Sequence, residues 1–231
     1  NAGLQNDDAQ WIMPSKNYAQ TRFSGLKQIT PQNAGKLQVA WTFSVGSNHG
    51  QEAAPIVVGN MMYVVGAYPN ELFALDATTG EMKWKYSPHV DPSSQGVACC
   101  DVVNRGEVYD NGKIFYNTLD NHTVAVDAKT GKEVWAVKLG EISKGQTLTM
   151  APLAADGKIF VGNSGGEMGI HGWVTALDEA TGKIVWRAYS VGSDKDVKIG
   201  PRFKPFYANA MGKDLDMTTW ANARWEYGGG P

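Results

Sequence analysis

One eleven-residue pattern, A-x-D-x-x-T-G-x-x-x-W, occurs three times in the 231-residue chain, at Ala74–Trp84, Ala125–Trp135 and Ala176–Trp186. Its aspartates stand at 76, 127 and 178, 51 residues apart in both steps. A fixed period of this size means one supersecondary unit copied in tandem, each copy burying its apolar face against the next. Within a copy, the alternating residues before the aspartate (Phe73–Asp76, Thr123–Asp127, Val174–Asp178) predict a strand. The D-x-x-T-G stretch is turn chemistry, and the residues after it begin the partner strand. Gly80, Gly131 and Gly182 can take positive φ there, and Trp84, Trp135 and Trp186 are placed to pack between neighbouring units.

Two further strand-like runs precede each hairpin: Ala54–Val58 and Met61–Gly66, Gly106–Tyr109 and Lys113–Asn117, Ala151–Ala154 and Lys158–Gly162. Four antiparallel strands repeated at about 50 residues predict an all-β chain folded as blades of a β-propeller. No 3.6-residue periodicity runs through these segments, which excludes helical repeats. Gln32–Val45 reads as a related, degenerate closing hairpin. Three blades and a partial N-terminal one cannot readily close a ring, because propellers use about four to eight blades and open ends leave strand edges uncovered. Residues 1–231 are therefore expected to be the N-terminal portion of a single propeller domain, with no second domain.

Composition narrows the partners. Twenty-one basic against 23 acidic residues give a net charge of −2, so the broad basic surface that nucleic acid requires is missing. No apolar run approaches the roughly 18 residues of a membrane-spanning helix, and the polar opening at Asn1 is unlike a signal peptide. The chain reads as soluble and already processed.

The only cysteines, Cys99 and Cys100, are adjacent. Two free or buried thiols are one reading. The other is a strained vicinal disulfide, which needs an oxidising compartment. His49, His89, His122 and His171 show no metal-ligand spacing and read as structural or surface residues. Asn121-His122-Thr123 matches a glycosylation sequon, a triplet common by chance. The basic stretch Lys195–Lys204 reads as a solvated loop, with docking of an electron acceptor as its alternative.

Taken together, Cys99–Gly106 (CCDVVNRG), His49–Pro55 (HGQEAAP), Asn163–Gly169 (NSGGEMG), Asn17–Thr30 (NYAQTRFSGLKQIT) and the tryptophan-bearing repeats resemble the large subunit of pyrroloquinoline quinone (PQQ)-dependent methanol and ethanol dehydrogenases. The likeness runs from about Trp11 to the C-terminus, in the family's order. It implies an eight-bladed propeller with tryptophan-docking blades and a disulfide between Cys99 and Cys100 lying against one face of PQQ. It also implies cofactor contacts from Glu52, Arg105, Thr149 and Ser164; Arg offers a planar fork to a carboxylate and the hydroxyls can donate. Gly165 and Gly166 would let backbone N–H groups approach the anionic cofactor, and Glu167 would ligate the metal, Ca²⁺ or a lanthanide. Gly166 and the stretch Ile199–Tyr207 resemble the lanthanide-using members more than the calcium ones. His171 stands where the resemblance leads one to expect arginine.

The same resemblance implies oxidation of a small primary alcohol: the metal polarises the quinone, an aspartate takes the hydroxyl proton, and hydride passes to PQQ. Electrons then go to a cytochrome c in the periplasm. The general-base aspartate and the remaining metal ligands belong to later blades and are expected beyond Pro231, the last residue of the sequence. The tryptophan that stacks on PQQ is expected there too, a couple of residues past Pro231, so neither Trp220 nor Trp225 is assigned to the stack. The 231-residue chain alone is therefore expected to show no turnover. The remainder of the propeller is an implied partner, and a homodimer is an assembly open to such a protein. Two rivals follow from the same residues: a non-enzymatic periplasmic propeller scaffold of the outer-membrane assembly type, and a quinoprotein acting on sugars or bulkier alcohols. The cysteine pair, Arg105 and Glu167 together speak against the scaffold.

Overall fold

In the computed structural model, residues 3–204, 212–228 and 230 are described. Twelve strands form three four-stranded antiparallel sheets, each in simple up-and-down order. The first contains β1 (Ile56–Val58), β2 (Met61–Val65), β3 (Leu72–Asp76) and β4 (Met82–Tyr86). The second contains β5 (Glu107–Asp110), β6 (Lys113–Asn117), β7 (His122–Asp127) and β8 (Glu133–Lys138). The third contains β9 (Leu153–Ala155), β10 (Lys158–Gly162), β11 (Trp173–Asp178) and β12 (Ile184–Tyr189). The middle first strand β5 touches both β1 and β9, whereas β4, β8 and β12 are the most exposed. The sheets therefore radiate as blades from an inner line of first strands.

The repeat explains the blade. Alanine pairs with tryptophan across each outer hairpin (Ala74 with Trp84, Ala125 with Trp135, Ala176 with Trp186), and a register shift follows that alanine every time. In each turn the aspartate side chain accepts backbone N–H groups, those of Thr78 and Thr79 at Asp76, Lys129 and Thr130 at Asp127, and Thr181 at Asp178. The Thr130 and Thr181 hydroxyls add donors at 2.7 Å. These bonds to the charged form hold all three carboxyls below the ordinary range.

Blades are joined by those tryptophans. The indole N–H of Trp84 donates to the Ala128 carbonyl at 3.2 Å, and that of Trp135 to the Glu179 carbonyl at 3.1 Å. Each ring lies over the turn glycine of the next blade, so closely that a Cβ on Gly131 or Gly182 would come within 2.7 or 2.8 Å of it. The apolar core follows the same division. One cluster (Tyr63, Val65, Leu72, Tyr116, Val124 among others) fills the space between the first and second blades, and another (Phe115, Leu148, Ile159, Trp173, Leu177) fills that between the second and third.

The expected hairpin at Gln32–Val45 does not form. Residues 37–45 form no strand and join none of the three sheets among the described residues. Trp41 nevertheless behaves like its counterparts: its indole N–H donates to Ala77 at 3.3 Å, and a Cβ on Gly80 would meet its ring at 2.5 Å. The sequon is also ruled out as a surface site, because Asn121 is fully buried and its amide donates to the Gln146 carbonyl. Among the described residues no helix is long and apolar enough to cross a membrane.

Two features of the blades can be tested by substitution. Gly112 and Gly131 both have positive φ, but only Gly131 faces an indole. Gly112→Ala should cost about 1–2 kcal/mol for the left-handed backbone, and Gly131→Ala a further ~1–3 kcal/mol for the clash; equal costs in denaturant unfolding would disprove the docking role. Glu107 is wholly buried between the first two blades, with one oxygen accepting the Val65 N–H at 3.2 Å and the other unpartnered. Burial pushes its carboxyl from 4.5 up to about 8, so the folded chain keeps a proton that the unfolded chain releases. Its contribution to stability should be fully present below pH 4.5 and fall away toward pH 8, by up to about 1.4 kcal/mol per pH unit. Glu107→Gln should remove that slope, and identical slopes in the two proteins would exclude Glu107 as its source.

Candidate functional site

The loops leading into the three inner strands meet at one end of the blades. Residues 47–52 precede β1, residues 99–105 precede β5, and residues 147–149 precede β9. The first two run side by side through a parallel bridge between Gln51 and Asn104. The second and third are joined where the Arg105 N–H donates to the Thr149 carbonyl at 3.0 Å. Thr147 in turn bridges Ser164, which opens the turn between β10 and β11.

This arrangement sets Glu52, Arg105, Thr149 and Ser164 in a row. The Arg105 Nε lies 3.0 Å from a Glu52 carboxylate oxygen, and an Nη donates to the Thr149 hydroxyl at 2.8 Å. The Thr149 and Ser164 hydroxyls are 2.8 Å apart. Arg105 and Glu52 are each nearly half exposed, so their ion pair contributes at most about 1 kcal/mol to stability. Its consequence is orientation: the guanidinium is held as a fixed fork at an open surface, ready for a planar anion.

The second group is the cysteine pair with Glu167. Cys100 and Asp101 both adopt left-handed backbone, φ 61° and 74°, each at a cost of about 1–2 kcal/mol. Their turn points the two sulfurs at each other, Sγ to Sγ 2.9 Å. Both are free thiols at that distance, longer than the ~2.05 Å of a covalent bridge. The disulfide implied by the resemblance is thus not formed in this structure, although the sulfurs are already opposed. The Cys99 thiol is hydrogen-bonded to Cys100 and to Glu167, and these contacts, that with Cys100 foremost, push it up to about 12.

Glu167 is exposed, on a 3-10 turn whose Gly165 has φ 119°. A Cβ on Gly165 would lie 2.2 Å from the Gly145 carbonyl, so only glycine fits, and its role is packing as well as any approach to a ligand. Gly166 is exposed beside it, and a Cβ on Gly230 would stand 3.3 Å from the Gly166 Cα. Among the described residues no group of three or more His, Cys, Asp or Glu side chains could hold a metal ion. A hard cation takes about six to eight oxygens, so Glu167 offers one part of a shell and no more.

The site is an open face. A groove of about 810 Å³ lies instead beside Met168, His171 and Arg187, and none of the row or the cysteines line it. There His171 stacks on Tyr189 with ring centroids 4.7 Å apart, and its Nε2 lies 2.6 Å from the Val191 carbonyl, a structural role. Lys195–Lys204 is mostly exposed, as expected of a solvated loop. Residues 205–207 of the stretch Ile199–Tyr207 lie outside the described residues, and so does Pro231, the position past which the general-base aspartate is expected. No catalytic base is therefore assigned to a residue of this chain. Sequence reading missed one contact, His49 Nδ1 at 3.0 Å from the Asp101 carboxylate. Its only trace in the sequence is that each residue lies within a motif already singled out, His49 in His49–Pro55 and Asp101 in Cys99–Gly106.

The family described as PQQ: Glucose/ethanol/alcohol dehydrogenase, beta-propeller domain, matches residues 11–198. The chain belongs to this family. Among its curated relatives, a lanthanide-dependent methanol dehydrogenase of Methylacidiphilum fumariolicum (strain SolV) is 47% identical over 229 residues. Subunit 1 of the methanol dehydrogenase [cytochrome c] of Methylobacterium organophilum is 43% identical over 234. Each alignment covers 98% of this chain and 38% or 37% of the relative, so the chain spans under two fifths of their length. A solved structure titled europium-containing methanol dehydrogenase superposes with a TM-score of 0.94 at 45% identity, over 98% of this chain and 40% of the other.

The thiol contacts predict a chemical signature in this chain. Cys99 in the reduced, folded chain should react with iodoacetamide at pH 8 at least roughly tenfold more slowly than in the unfolded chain, for want of thiolate. Glu167→Gln should speed it. Equal rates folded and unfolded would show that Glu167 and Cys100 do not hold the thiol.

Proposed function

We propose that this chain supplies one cofactor-binding face of a periplasmic PQQ-dependent dehydrogenase that oxidises a small primary alcohol, methanol or ethanol, and passes electrons to a cytochrome c. Residues 1–231 belong, in this reading, to a single propeller domain shared with further blades, and the general-base aspartate comes from those blades rather than from any residue up to Pro231. The observation that carries the reading is the Arg105 fork, pinned between Glu52 and Thr149 on the same 99–105 loop that carries the opposed sulfurs. A flat quinone bearing several carboxylates needs a cationic fork at its edge and a hard surface beneath its ring, and a loop that carries both supports this reading. Family membership and the names of the relatives point the same way.

Each residue then has a defined task. Arg105 binds a cofactor carboxylate bidentately, with Glu52 and Thr149 preventing the fork from swinging into solvent. The Ser164 hydroxyl, kept in line by Thr149, donates at the polar edge. Cys99 and Cys100, joined as a disulfide in an oxidising compartment, form the surface on which the ring rests. Glu167 turns from the Cys99 thiol to a hard cation, calcium or a lanthanide, once that thiol is consumed. When bound, PQQ supplies a two-electron acceptor for the hydride of the alcohol, and the cation makes its quinone carbonyl more electrophilic.

The parent protein, loaded with PQQ and either calcium or a lanthanide, should reduce dye on addition of methanol or ethanol. Arg105→Ala should weaken PQQ binding by at least about tenfold, the equivalent of one charge-assisted hydrogen bond. The 231-residue chain alone should give no alcohol-dependent reduction. Failure of the parent protein to retain PQQ, or turnover by this chain in isolation, would contradict the assignment of roles.

A further inference from the structure

The Cys99–Asp101 turn needs an external anchor, and the structure provides one. Its C-terminal side is fixed: Val102 and Val103 are buried, and the Val102 carbonyl accepts the Tyr68 N–H at 3.1 Å. Its N-terminal side is less so, with Cys99 half-buried and Cys100 exposed. Two consecutive left-handed L-residues, Cys100 and Asp101, lie between. Asp101 is bonded through its Oδ1 to its own neighbour, the Val102 N–H, at 2.7 Å, and both of its carboxylate oxygens face His49 Nδ1, at 3.0 and 3.1 Å.

His49 is itself well placed to act as an anchor. Gly50, at φ 71°, is pressed so closely on the 99–105 loop that a Cβ there would lie 3.1 Å from Ala67 and 3.2 Å from the Val102 backbone. The Ser47 hydroxyl donates to the His49 carbonyl at 2.7 Å, and Gln51 bridges Asn104. The 47–52 segment is therefore zipped to the 99–105 segment by two side-chain pairs on either side of one backbone bridge. Glu52–Arg105 orients the fork; His49–Asp101 lies at the cysteine end.

We infer that His49 is a positioning residue that holds the left-handed Cys100–Asp101 turn so that the two sulfurs stay opposed and ready to close. This rests on the reading of the cysteine pair as one face of the cofactor site. The closing step is a thiol–disulfide exchange with an external disulfide. A thiolate of the pair attacks glutathione disulfide, the glutathione S–S bond breaks, and the second cysteine then displaces the bound glutathione. One Sγ–Sγ bond forms, and two electrons and two protons end on two glutathione thiols. An anchor that keeps the sulfurs 2.9 Å apart raises the equilibrium constant of that exchange.

The test equilibrates the full chain with defined mixtures of reduced and oxidised glutathione, alkylates the remaining thiols and reads the ring by mass. His49→Ala and Asp101→Asn should each lower the constant roughly three- to tenfold, the range for a charge-assisted bond at a partly exposed pair. His49→Gln, whose amide can still donate to Asp101, should recover part of it, and His89→Ala, at an exposed position elsewhere, should not change it. Should His49→Ala fail to fold, Asp101→Asn decides. A constant unaffected by His49→Ala or by Asp101→Asn in folded protein overturns the role of His49 alone. No ring at any glutathione ratio in the unsubstituted chain overturns that role together with the disulfide beneath it.

Discussion

An indole ring set against a glycine, repeated at each step from one blade to the next, is the contact on which the rest of this molecule depends. Trp41, Trp84 and Trp135 each reach the turn glycine of the following blade and donate to the carbonyl of the residue after the turn aspartate. The contact is specific because both partners are constrained. The glycine has positive φ and no room for a Cβ, and the aspartate locks the turn by accepting N–H groups. Blade separation is thereby set at the outer edge, and the inner strand β5 is brought against β1 on one side and β9 on the other.

That separation decides what the lead-in loops can do. With the inner strands adjacent, the loops before them touch, and residues 53 and 44 positions apart in sequence become an ion pair and a hydrogen bond: Glu52 with Arg105, and Arg105 with Thr149. None of these contacts is strong by itself, since the pair is half exposed. Their value is preorganisation. The chain meets the ordering cost of the arginine side chain on folding rather than on binding, which is where fixed donors gain affinity. The cysteine turn follows the same logic, with a strained backbone held by its surroundings so that two sulfurs confront each other.

Much of this is legible in the sequence, for physical reasons. The blade strands can be read because strand alternation, turn aspartate, glycine and tryptophan all agree at each repeat, and β2, β6 and β10 fall where the apolar runs predict them. The segment 32–45 imitates a hairpin because its alternation matches a strand, while pairing depends on a neighbour that local pattern cannot supply. For the site, motif resemblance names residues that the fold does bring together: Glu52, Arg105, Thr149 and Ser164 in one row, and Cys99, Cys100 and Glu167 in another group. What no local pattern carries is the pairing of His49 with Asp101, or the burial of Glu107 and Asn121, because each arises from contact between segments far apart in the chain.

In the proposed function the row ending at Ser164 and the cysteine pair form two parts of one cofactor face. A crystal structure of the parent protein grown with PQQ tests it directly. The quinone ring should lie on the Cys99–Cys100 sulfurs at van der Waals distance, about 3.5–4 Å, with a carboxylate in the Arg105 fork. PQQ bound elsewhere, or bound with Arg105 still turned only to Glu52 and the sulfurs facing solvent, would contradict it.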